Sequence, residues 1–111
     1  MLSQGEIYSV NLSPTQGHEQ SGLRPVLIIQ NDHLNRHLST VVIIPLSGNL
    51  DGKGRSSTYF LEHKISGLKK DSILLLFQIK TIDKTRLIKK IGKQLSPEIM
   101  QDIKKKLQDI F

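Results

Sequence analysis

Pro25-Val26-Leu27-Ile28-Ile29 and, after a polar interval, Val41-Val42-Ile43-Ile44 decide how this chain folds. Both are short continuous apolar runs rich in β-branched residues, the pattern of strands buried on both faces. Working outward, residues 6–12 place Ile7, Val10 and Leu12 around the more polar Tyr8 and Ser9. Ser13-Pro14-Thr15-Gln16-Gly17 then supplies turn chemistry, so residues 6–12 read as the first strand. Residues 31–40 are polar, with room for a turn of helix. Residues 47–57 hold three glycines with Asn49 and Asp51, a composition that resists packing and predicts a mobile loop. Residues 58–61 and 72–78 read as further strands, joined through a Gly67-Leu68-Lys69-Lys70-Asp71 turn. Residues 79–91 are expected to contain a helical turn starting at Asp83 and then a last strand.

The clearest local signal is C-terminal. Ser96 offers an N-cap oxygen, Pro97 suits the first helical position and Glu98 complements the helix dipole. Ile99, Ile103, Leu107 and Ile110 recur at helical spacing, a face for packing on a sheet. Many short strands with one terminal helix predict a mainly β fold, a small, strongly bent barrel of SH3-like size. No repeat or linker interrupts the chain, so residues 1–111 are expected to form a single domain.

The chain lacks cysteine, which excludes disulfides and thiolate metal sites and suits a reducing compartment. Neither a basic stretch leading into an apolar run nor a span of roughly 20 apolar residues is present, so a cytoplasmic protein without membrane association is expected. The net charge of +6 points to a polyanionic partner, nucleic acid or an acidic protein. Five of the six excess charges fall in residues 84–111, where eight Lys/Arg face three Asp/Glu; residues 1–83 carry eight against seven. Charge thus suggests a partner class without locating a site, since a basic helical face is often simply solvated.

His33 and His37 stand four apart and would share a helix face, but Leu34 follows the first where the zincin pattern needs Glu, and no third ligand lies nearby. Surface histidines are the better account, and no metal or cofactor is expected. Nucleophile-elbow, Walker and dinucleotide motifs are absent. There remains Gly17-His18-Glu19-Gln20-Ser21-Gly22, which leads into Arg24 and Pro25 at the mouth of a buried strand. Flanking glycines allow close approach of a ligand, and a guanidinium can grip a phosphate with two parallel hydrogen bonds. From the residues alone, Glu19 and Arg24 could equally pair across the loop.

Gly5-Glu6-Ile7-Tyr8, Leu12-Ser13-Pro14-Thr15, Gly17-His18-Glu19-Gln20 and Arg24-Pro25-Val26-Leu27-Ile28-Ile29 resemble, in residues and spacing, the opening of MazF/PemK/Kid toxins. The likeness extends through residues 41–47, through Gln78-Ile79-Lys80-Thr81-Ile82-Asp83 and through the helix after Ser96-Pro97-Glu98, so it covers nearly the whole chain. It implies a PemK/CcdB-type, SH3-related barrel that forms homodimers, cleaves single-stranded RNA at specific sequences without a metal, and is held in check by an acidic antitoxin protein. Carried over by position, Arg24 is the essential arginine, Ser47 stands where a catalytic threonine is usual, and His18 matches a histidine proposed to participate in Kid-like members. Glu19 or His18 has a proton affinity suited to a general base. Gln20, Lys53, Arg55, Phe77 and Gln78 are the expected RNA contacts.

Two positions depart from the family. Phe77 replaces the usual acidic residue before Gln78, and Leu75 lacks the arginine of Kid-like members. If Gln78 points into the barrel, strand alternation over residues 72–78 turns Phe77 outward beside the groove, where it could stack on any base and leave the recognition word shorter or more degenerate at one position. Phe77 also gives some force to a non-catalytic RNA-binding barrel. Resemblance to CcdB toxins suggests a gyrase poison as a third reading, but Arg24 together with Ser47 favours the ribonuclease.

Overall fold

The computed structural model describes residues 2–12 and 22–111. Its strands are β1 (Ile7–Asn11), β2 (Leu23–Ile28), β3 (Thr40–Ser47), β4 (Thr58–Leu61), β5 (Ser72–Leu75), β6 (Lys80–Asp83) and β7 (Leu87–Ile91). The α-helices are α1 (Asp32–His37), α2 (His63–Ser66) and α3 (Pro97–Gln108). All strand pairs are antiparallel, in the order β4-β5-β3-β2-β1-β7, with β6 also paired to β3.

The continuous apolar runs are buried on both faces, as their pattern requires. Leu27, Ile44 and Leu46 enter a core shared with Met100 and Ile103 of α3. Their chain neighbours Val26, Ile28, Val41 and Ile43 enter a second core with Val10 and Ile82. A strand alternates its side chains between faces, so one run feeds both cores. α3 begins as expected: Ser96 Oγ accepts from the Ile99 N–H at 3.2 Å, and Pro97 opens the first turn. Its buried face centres on Met100 and Ile103, with Ile99 and Leu107 packed beside them. Ile110, expected on that face, lies beyond the helix end and is exposed.

The mainly β fold with a C-terminal helix stands, but among the described residues the sheet is not a closed barrel. β4, β6 and β7 each pair with one neighbour only, and β4 and β7 are the two ends of the main path. Where a ladder would close them, the chain makes a backbone contact instead: the Lys93 N–H donates to Ser66 O at 2.6 Å. Glycines permit it. Gly67 and Gly92 have φ of +75° and +70°, and a Cβ on Gly92 would drive into Ser66 O.

Three further expectations change. The connection from β4 to β5 contains the short helix α2, ended by Gly67 in the left-handed conformation. Residues 48–56 are exposed apart from half-buried Gly52, as a composition that resists packing predicts, but they contain regular structure: Leu50–Gly52 form a 3-10 turn capped by Asn49, and Thr58 Oγ1 donates to Gly52 O at 2.7 Å. Finally, residues 72–78 are a strand only to Leu75, and Leu76–Gln78 form a 3-10 turn. β5 and β6 lie along the same edge of β3 on either side of that turn. The β5 register, Leu46 with Leu74 and Ser47 with Ile73, would set Ile43 opposite Phe77; Ile43 faces Lys80 instead. The turn therefore inserts three residues into the ladder, a bulge anchored by buried Leu76 that throws Phe77 outward. The helical turn expected at Asp83 is present at Lys84–Arg86, capped by Asp83 Oδ1, and the last strand follows.

Candidate active-site groove

A groove of about 520 Å³ opens on the sheet face opposite α3. Its floor follows from strand alternation. Leu46, Leu74 and Tyr59 turn toward the α3 core, so their neighbours Ser47, Ile73, Leu75 and Thr58 face the other way and line the groove. Two turns complete it, one bearing Asn49 and Asp51, the other Phe77 and Gln78.

Ser47 ends β3 and is only 8% exposed. Its Oγ accepts the Asn49 N–H at 3.1 Å. That bond uses an acceptor site and leaves the hydroxyl proton free to be donated into the groove. Arg24, the second residue of β2, is exposed and is not among the groove-lining residues. Its place relative to them follows only from strand alternation: the β2–β3 ladder ends at Val26 with Pro45, and two residues further along each strand come Arg24, paired with Val10 of β1, and Ser47, paired with Ile73 of β5. An even step keeps both side chains on one face, that of Val26, Ile28 and Ile43.

His18, Glu19 and Gln20 lie outside the described residues. The flanking residues are fixed: the Leu12 N–H donates to Gly22 O at 2.9 Å, which brings both ends of that segment together beside Arg24. Of the expected RNA contacts, Arg55, Phe77 and Gln78 line the groove with Ser47, and Lys53 does not. The Lys53 ammonium sits 3.9 Å from the centre of the Phe60 ring, a cation–π contact. Phe77 is 52% exposed, and its outward position comes from the inserted turn, not from strand alternation with Gln78.

Asn49 and Asp51 were not singled out from sequence. The only signal was Asn-Leu-Asp-Gly turn chemistry, which predicts a bend but not where it faces. Outside the groove, His33 and His37 share a face of α1 with ring centres 4.7 Å apart. Among the described residues no group of three His, Asp or Glu side chains is placed to hold a metal. Lys90 pairs with buried Glu6 at 3.0 Å across the β1–β7 ladder. Burial and then the Glu6 charge raise the Tyr8 phenol above its ordinary pKa, while the hydrogen bond to Glu6 raises that of Lys90.

Fold and groove together define a small, basic, antiparallel β protein with a cleft that sets polar side chains around an apolar floor. Residues 3–111 match the model of the PemK-like, MazF-like toxins of type II toxin-antitoxin systems. The chain belongs to that family. Similar solved structures include MazF from Deinococcus radiodurans, at 20% identity with a TM-score of 0.80, covering 98% of this chain and 94% of that one. An endoribonuclease in complex with its cognate antitoxin from a mycobacterial species is 22% identical, with a TM-score of 0.79 and coverage of 98% and 93%. Mycobacterium tuberculosis toxin MazF-mt6 is 21% identical, with a TM-score of 0.69 and coverage of 94% and 89%. At these identities the likeness is one of fold. No helix among the described residues is long and apolar enough to cross a membrane.

Proposed function

We propose that this chain is a sequence-specific endoribonuclease that cuts single-stranded RNA by internal transesterification. The reading is supported by strand alternation, which puts Arg24 on the side of Val26 and Ser47 on the side of Pro45, two residues beyond the last β2–β3 pair and with Ser47 in the groove, in a chain of this family. The ribose 2′-oxygen attacks the adjacent phosphorus and loses its proton to a base; the bond from phosphorus to the 5′-oxygen breaks, and that oxygen takes a proton. The products are a 2′,3′-cyclic phosphate and a 5′-hydroxyl. Charge accumulates on the non-bridging oxygens as the bonds exchange. Arg24 offsets that charge, and Ser47 donates one hydrogen bond to it, worth about 3 kcal/mol for a preorganised donor. Glu19 or His18 serves as the base. No metal is needed for these steps.

Single strands suit such a groove because unstacked bases can be splayed and read at their edges. The protein acts as a homodimer in the cytoplasm, restrained by an acidic, partly disordered antitoxin segment laid over the RNA groove. Complexes of Deinococcus radiodurans MazF with MazE, and of the mycobacterial endoribonuclease with its antitoxin, support that partner class. The test is incubation of the purified protein with a long single-stranded RNA in EDTA, followed by mapping of new 5′ ends. Discrete ends bearing 5′-hydroxyls support the reading, and intact RNA overturns it.

A further inference from the structure

We propose that the turn bearing Asn49 and Asp51, together with Phe77, forms a subsite that reads a guanine base; this rests on the RNA-cleaving assignment above. All three residues line the same groove as Ser47. Its volume of about 520 Å³ lies within the roughly 300–1,000 Å³ typical of sites that enclose a small ligand.

The chemistry follows from what each side chain is already doing. Asn49 Oδ1 accepts the Asp51 N–H at 3.0 Å, which caps the turn and fixes the orientation of the amide. Its NH2 group is therefore turned away from the cap and has no acceptor among the described residues. The Asp51 carboxylate has neither a hydrogen-bond donor nor an ion-pair partner among them. Two residues apart, the turn thus offers one amide donor beside one two-oxygen acceptor. The Watson–Crick edge of guanine presents the complement: O6 accepts, and N1–H with the 2-amino group forms a pair of donors that a carboxylate can bind bidentately.

The other bases fit less well. Adenine has a single amino donor beside the N1 acceptor, cytosine an amino donor beside N3, and uracil one N–H between two carbonyls; each would set a base acceptor against the carboxylate. Phe77 supplies what hydrogen bonds cannot, a flat apolar face, half exposed at the groove, on which the base can stack. The acid expected at position 77 thus has a counterpart elsewhere in the groove, and the word is specific where the sequence alone predicted degeneracy.

The test uses matched single-stranded RNAs that differ only by guanine or inosine at one position, taken from the cleavage map or, where nothing is cut, from sequences selected by binding out of a random single-stranded RNA pool; inosine lacks the 2-amino group. The parent should cut and bind the guanine RNA at least about tenfold better than the inosine RNA, as expected for one bidentate base contact. Asp51→Asn should bring that ratio close to one. Phe77→Leu should weaken binding of both RNAs in parallel and leave the ratio in place. A cleavage map with no fixed guanine, or an unchanged ratio in Asp51→Asn, overturns the subsite. Binding is measured on 2′-O-methyl versions of the two RNAs, which cannot be cut. A parent that discriminates in binding but cuts nothing would overturn the ribonuclease reading and keep the subsite. Cleavage without discrimination would do the reverse.

Discussion

Replacing Ser47 with alanine removes one oxygen that has a hydrogen bond in the structure and a second role in the proposed mechanism. The first is local: Ser47 Oγ accepts the Asn49 N–H at 3.1 Å. Asn49 is exposed, so water can replace that acceptor, and the loss is that of an ordinary hydrogen bond, about 1 kcal/mol. For a domain of this size that corresponds to a fall in Tm of about 4 °C, leaving the protein folded at assay temperature. The second role is the hydrogen bond to the phosphate as charge develops, whose loss should slow cleavage roughly a hundredfold. Ser47→Thr restores the hydroxyl, and its added methyl can point into the open groove, so most of the rate should return. The assay is single-turnover cleavage of one short RNA by the parent and both variants, with melting curves recorded alongside. A Ser47→Ala rate within about threefold of the parent would show the hydroxyl idle and remove it from the mechanism.

Arg24→Ala should abolish detectable cleavage and growth inhibition, a loss of at least about a hundredfold, while the melting curve stays close to the parent's; cleavage retained within tenfold would exclude Arg24 from charge stabilisation. Antitoxin-saturated dimer should fail to bind single-stranded RNA in a filter or anisotropy assay, and full binding would rule out occlusion of the groove. Gly92→Ala should cost roughly 3 kcal/mol, from the positive φ and the clash with Ser66 O, read in urea unfolding; an unchanged midpoint would mean that the contact between α2 and the end of β7 does not hold the sheet edges together. The Asp71 carboxylate accepts from the backbone N–H of His63 and faces its ring nitrogen at 2.8 Å, contacts that hold its pKa below the ordinary aspartate value. A folded pKa below the unfolded one gives stability that is present above the unfolded value and lost as pH falls through the folded one. The stability difference between the parent and Asp71→Asn should therefore shrink below about pH 4, and parallel acid unfolding curves would contradict it.

What could be read from the sequence was whatever short-range chemistry decides. Ser96-Pro97-Glu98 announces a helix start because capping is settled within one turn, and Asp83 announces the next turn for the same reason. The runs at residues 25–29 and 41–44 announce doubly buried strands because their patterning is itself the consequence of two cores. The barrel outran this information, since whether β4 and β7 pair depends on how far the sheet curls, and a tight glycine contact outside the ladder occupies the gap.

The groove failed to show for a related reason. Ile73-Leu74-Leu75-Leu76 is apolar throughout, so no period marks where strand gives way to a 3-10 turn. The mismatch appears only when β5 and β6 are both laid against β3 and three residues are left over. Those residues place Phe77 and Gln78 in the same groove as Asn49 and Asp51, from a segment whose glycines suggested that it would not pack. Arg24 and Ser47 were each legible as residues, by charge and by resemblance. That they lie on one side of two paired strands was not, because it follows from a ladder between strands a dozen residues apart in the chain. On the proposed mechanism, a pair of residues positioned by strand register also carries a structural liability. Moving β2 by one residue against β3 would send Arg24 to the opposite face and turn every buried side chain of the strand over, so the double-sided core that stabilises the fold also fixes the geometry of the site.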